Sequence, residues 1–126
     1  MKSSTALHYL SFDYSEDEHG HGSFEAMASV PTHRVGGLRE EIALVLDWAH
    51  EAFADMRGPL EDGGEWDYHL EGQQEWSANE TIHYDEVTGR FRSQLSTPGE
   101  PRHTVTLSIS GGAQFCEAFR ERFGLD

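Results

Sequence analysis

The sequence predicts an α+β fold, a two-layer sandwich in which a mainly antiparallel sheet of five to six strands carries two helices on one face, in the order ββαββββα. Three observations lead there. Short segments with period-2 alternation of apolar and polar residues recur between turn residues, the pattern of strands joined by hairpins. Two other segments, one running from Leu38 and one following Gly112, repeat their apolar residues at helical spacing, and each such stripe needs a sheet face to cover. With 126 residues, 37% hydrophobic and 11% aromatic, and no linker, repeat or low-complexity stretch, the chain suits one domain spanning 1–126.

Residues 7–14 are rich in aromatics and read as a strand, with His8, Leu10, Phe12 and Tyr14 sharing a face. The polar, glycine-rich stretch 16–22 is a turn. Residues 23–30 alternate again, placing Phe24, Ala26, Ala28 and Val30 on one side, so an N-terminal hairpin with a loop of roughly eight residues is expected. Pro31 closes it, because proline has no N–H for the ladder. A helix then runs from Leu38 through Ile42, Val45, Leu46, Ala49, Ala52, Phe53 and Met56, with Arg39, Glu40, Asp47, His50 and Glu51 opposite. Gly36 and Gly37 mark its start, and Arg57-Gly58-Pro59 its end.

After a loop at 59–64, residues 65–71 alternate strictly, with Trp66, Tyr68 and Leu70 inward and Glu65, Asp67, His69 and Glu71 outward. The strand can extend past Gly72 toward Trp76. Residues 80–84 and 90–95 form two more strands around a loop at 85–89, and Pro98 to Pro101 make the next turn. In 103–110, Val105, Leu107 and Ile109 face the core while Thr104, Thr106 and Ser108 face outward. Past Gly111-Gly112, a short helix aligns Phe115, Cys116, Phe119, Arg122 and Phe123 on one side.

The formal net charge is −14, and it is unevenly spread. Residues 58–89 carry nine acids and no Lys or Arg, whereas 90–126 carry a net +1. A field of that sign repels phosphate backbones and anionic membrane surfaces, so neither nucleic acid nor membrane is an expected partner. Basic proteins, cationic ligands and metal ions are favoured. The single cysteine, Cys116, excludes an internal disulfide framework and any multi-cysteine metal site. No apolar run approaches the roughly 20 residues that span a bilayer. The first ten residues have one positive charge and no apolar signal core, so the cytoplasm is the expected location.

The leading candidate site is the outward face Glu65, Asp67, His69, Glu71, with Trp76 near its end. Acids and an imidazole at period 2 offer a docking stripe for Arg and Lys side chains, and an exposed Trp anchors an interface well. The alternative is a divalent-metal protein or metal-dependent enzyme drawing on His19, His21 and His69, because two imidazoles two residues apart among carboxylates bind transition metals. That needs three ligands to converge. A third reading is a small-ligand binder with a pocket between sheet and helices. Ser110-Gly111-Gly112 lacks the spacing of a phosphate-binding fingerprint and reads as a turn, and no nucleophile signature occurs. Hence the sequence favours a non-enzymatic interaction module for a basic protein partner, with no cofactor.

Overall fold

A computed structural model describes residues 6–125, so the first five of the ten residues read for a signal core lie outside the described residues. The strands are β1 (Asp13–Glu16), β2 (Gly22–Pro31), β3 (Trp66–Glu75), β4 (Glu80–Asp85), β5 (Arg90–Leu95) and β6 (Arg102–Gly111), and the helices are α1 (Val35–Ala52) and α2 (Ala113–Phe123). Element order and class agree with the sequence reading. The strand grouping does not: β1-β2-β6-β3 form a four-stranded antiparallel sheet, and β4-β5 form a separate two-stranded ribbon. β3 and β6 pair along all ten residues from Trp66↔Gly111 to Glu75↔Arg102, so the ribbon continues outward from the end of that hairpin.

Alternation does what it should in the central strands. Phe24, Ala26, Ala28 and Val30 of β2 are buried and lie in register with Ile109, Leu107, Val105 and His103 of β6. Both helices pack on this inner face. Phe115 of α2 stacks on Trp66 with ring centroids 5.5 Å apart, and Phe119 lies 4.4 Å from Phe24. Leu38, Ile42, Val45 and Ala49 of α1 complete the core. Trp48, which falls off the sheet-facing stripe of α1, points at α2 instead and touches Phe115, Phe119 and Phe123.

The strand expected at 7–14 is shortened to Asp13–Glu16, and the loop to the five residues 17–21. Its donors go elsewhere. The backbone N–H groups of Tyr9 and Leu10 donate to Oε1 of Glu41 (3.0 and 2.8 Å), and that of His8 donates to Oε2 (2.8 Å). A carboxylate projecting from α1 thus replaces a neighbouring strand, and Glu41 is only 9% exposed. Gly36 and Gly37 lie inside the first turn of α1, not before it. A Cβ at Gly37 would approach the Tyr9 hydroxyl to 2.9 Å, so the missing side chain makes room for this N-terminal segment.

Helix α1 ends at Ala52, earlier than Arg57-Gly58-Pro59 suggested. Phe53 leaves helical geometry to pack on Trp48 and Phe115, and its carbonyl accepts the Trp66 indole N–H (3.3 Å). Met56 is consequently half-exposed. Leu70 points to the inner face as expected but is 42% exposed, because α1 does not reach over the distal half of β3. Arg122 is exposed on α2, leaving Phe115, Cys116, Phe119 and Phe123 as its buried stripe.

One end of the sheet is built for close approach. Gly22 and Gly111 are direct cross-strand partners. A Cβ on Gly22 would meet the Tyr14 ring at 2.6 Å and Cys116 Sγ at 2.7 Å, and one on Gly111 would meet the Phe115 ring at 2.7 Å. Two adjacent glycines therefore let the first turn of α2 sit directly on the backbone of the sheet.

Candidate functional site

The helices cover one face of the four-stranded sheet and leave the other open. On that outer face the register aligns Asp13 of β1, Glu25 of β2, Ser108 of β6 and His69 of β3 in one row across all four strands. The next rows hold Ser15, Ser23, Ser110 and Asp67 on one side, and Met27, Thr106 and Glu71 on the other. Small hydroxyl residues line the central strand and acids stand on the strands to either side. Side chains directly opposite on neighbouring strands lie about 5 Å apart at Cβ, so the carboxylates of Asp13 and Glu25 share one local field.

The predicted stripe is partly engaged within the molecule. Glu65 precedes β3 and is half-buried, and its carboxylate turns to the start of α2, where Oε1 lies 3.0 Å from the position of a Cβ on Gly112. A negative group there offsets the positive end of the helix dipole. Asp67 Oδ1 pairs with Arg57 Nε at 2.9 Å and also accepts the Tyr68 N–H at 2.9 Å, while the Arg57 guanidinium lies 4.4 Å from the centroid of the Tyr68 ring. His69 Nε2 and Glu71 Oε1 are 2.6 Å apart, and both side chains are well exposed. Trp76 lies beyond β3, at the root of the ribbon, and is 60% exposed. Among the described residues, none of these acids pairs with Arg90, Arg92 or Arg102; Arg102 is occupied by Ser29, donating to its Oγ (2.8 Å) and carbonyl oxygen (2.9 Å).

Asp67, His69 and Glu71 therefore stay together on the open face, Glu65 is drawn away to α2, and Trp76 stands apart. Reading one strand at a time missed Asp13 and Glu25, the two acids that share the row of His69 from other strands. Their outward parity in 13–16 and 22–31 was the available signal, but the strand order that brings them to His69 is not local information.

His19 and His21 sit in the β1–β2 turn, organised around Asp17. Its Oδ1 accepts the backbone N–H groups of His19 (2.8 Å) and His21 (2.9 Å), and these bonds, that of His21 first, hold its carboxyl below the ordinary 3.8. Among the described residues, no three His, Cys, Asp or Glu side chains are grouped so as to hold a metal ion, and His69 is not brought to the His19–His21 turn for that purpose. Cys116 is buried and its Sγ lies 3.4 Å from the Gly111 carbonyl oxygen; burial pushes the thiol above its ordinary 9.0, the opposite of nucleophile activation.

Between sheet and helix, an open groove of about 520 Å³ runs along α1 and β3, lined by Ile42, Leu46, Leu70 and Val105. Among the described residues, no helix is long and apolar enough to cross a membrane. Comparison with protein-family models, with curated proteins and with solved structures finds no match to this chain.

Proposed function

We propose that this chain is a non-enzymatic binding module that holds a basic partner protein against the open face of its four-stranded sheet. The observation that carries the reading is the row Asp13–Glu25–Ser108–His69, with Glu71 beyond it on β3, on a sheet face left bare by both helices. A flat field of exposed carboxylates around small hydroxyls is complementary to Arg and Lys side chains, which dock on it through charge-assisted hydrogen bonds. Trp76, at the end of β3, supplies an aromatic anchor beside the charged field. The same field repels nucleic acid and anionic lipid, and a reducing cytoplasm suits the lone free thiol of Cys116.

The test compares immobilised wild-type protein with the variant Asp13→Asn/Glu25→Gln/Glu71→Gln, both exposed to extract from the native cells. The reading expects a protein of basic pI held by the wild type, released by salt, and bound by the purified triple variant roughly 5- to 150-fold more weakly, from about 0.3–1 kcal/mol per exposed charge. Equal affinity for both forms, or binding indifferent to salt, refutes it.

A further inference from the structure

The ribbon of β4 and β5 is the largest part of the molecule left without a covering. Every residue from 71 to 100 is exposed, and among the described residues β4 and β5 pair only with each other. The register sorts their side chains cleanly. Glu80, Ile82 and Tyr84 lie opposite Leu95, Ser93 and Phe91 on one face, while Thr81, His83 and Asp85 lie opposite Gln94, Arg92 and Arg90 on the other. Ile82, Tyr84, Phe91 and Leu95 are 58–68% exposed, Val87 at the tip is 90% exposed, and Trp76 stands at the root. An isolated two-stranded hairpin is marginal in water, and this one turns its apolar side to solvent.

We propose that this face is the interface of a homodimer, in which the arm of one copy packs on the same face of a second copy with the two arms antiparallel. Three features select a second copy as the occupant. The first is area: the exposed fractions of Ile82, Tyr84, Phe91 and Leu95, with Val87 at the tip, sum to roughly 650 Å² per copy, at the lower end of the half-share of a standard stable interface. The second is charge. Two copies at −14 each repel, yet residues 76–101 hold only Glu80, Asp85, Glu86 and Glu100 against Arg90 and Arg92, so the arms can meet where repulsion is least. A basic partner is drawn instead to the acidic sheet of the body.

The third is self-complementarity. A two-fold axis across the Ile82–Ser93 row stacks Ile82 on Ile82 and small Ser93 on Ser93, and places Phe91 over Leu95 of the second copy. It also sets the Tyr84 hydroxyl over the Glu80 carboxylate of the second copy, where it can donate. The parallel alternative would instead gather Asp85 and Glu86 from both tips.

Sedimentation velocity and light scattering on tag-free protein test this from about 1 to about 200 μM, a range in which an interface of this size associates. The expected particle has twice the 14.2 kDa chain mass at the upper end. Ile82→Ser/Phe91→Ser weakens self-association by about 100-fold or more. Its near-ultraviolet circular dichroism and thermal midpoint stay those of an intact body, since neither residue belongs to the core around Trp48 and Trp66. Ser93→Cys, at the axis, is joined into dimers by a short bis-maleimide, and adding Phe91→Ser abolishes the crosslink. A monomer throughout the range, a dimer that Ile82→Ser/Phe91→Ser leaves intact, or a Ser93→Cys protein that does not crosslink overturns the proposal.

Discussion

Replacing Glu41 tests how the N-terminal segment is held. Its carboxylate accepts three backbone N–H groups, from His8, Tyr9 and Leu10, at 2.8–3.0 Å, and nothing in the 6–12 segment pairs as a strand. Hydrogen bonds to a charged acceptor contribute about 1.5–3 kcal/mol each, but the donors of His8 and Tyr9 are only partly buried and recover water when released. Only the Leu10 donor is enclosed by the core. Glu41→Ala should therefore cost about 3–4 kcal/mol: one buried donor left unsatisfied, two exchanged for water, and partial loss of the Leu10 and Phe12 packing. Glu41→Gln keeps a carbonyl oxygen for Tyr9 and Leu10 but sets an NH2 group against the His8 N–H, and should cost about 1.5–2 kcal/mol. Urea unfolding followed by far-ultraviolet circular dichroism gives both values, and limited proteolysis reports cleavage within residues 6–12. If Glu41→Gln lies within about 0.5 kcal/mol of wild type, or if alanine and glutamine behave alike, the carboxylate is not what holds this segment.

Gly111→Ala should destabilise by about 1–3 kcal/mol in urea melts, because a Cβ 2.7 Å from the Phe115 ring forces α2 off the sheet. Burial raises the Cys116 thiol above 9.0 and the Tyr14 phenol above 10.0, so the unfolded chain releases these protons first. Stability is then full below pH 9 and declines as pH rises through 9 and 10; a thermal midpoint flat across that window would refute this. For Asp17 the sign reverses: its lowered pKa gives stability present above pH 3.8 and lost as pH falls further, and its carboxyl carbon should titrate below 3.8 by NMR. Glu25→Gln should stabilise by about 0.2–1 kcal/mol at low salt, since Glu25 stands directly opposite Asp13, with the gain fading as salt is added.

Legibility in the sequence followed the range of the interaction. Phe24 to Val30 and Val105 to Ile109 declared their inward faces because alternation is fixed by the pleat alone. The stripe from Leu38 to Ala49 was equally plain. What escaped were residues whose partners lie far along the chain. Glu41 reads as another polar position on a helix until the donors of residues 8–10 arrive over it, and Trp48 reads as off-stripe until α2 supplies its ring neighbours. In the arm, Ile82, Tyr84, Phe91 and Leu95 alternate like residues of a half-buried sheet, and nothing local says that no helix lies above them. A wider count could have said so. Helices are about 10 Å across and strands about 4.8 Å apart, so two helices cover about four strands and leave a fifth and sixth bare.

The open face and the arm solve opposite problems. Facing Asp13 with Glu25 across adjacent strands costs stability, and β3 already has charge enough in Asp67, Glu71 and Glu75 to discourage strand addition at its free edge. Solubility alone would be served as well by acids spread over the helices, where they do not repel one another at close range. Setting Asp13 directly against Glu25 creates a repulsion that the proposed cationic partner would relieve, an exchange of stability for binding. The arm is the converse. It gathers apolar side chains where the charge is lowest, on a ribbon separate from the four-stranded sheet, so the proposed self-association and the proposed binding at the sheet use different residues.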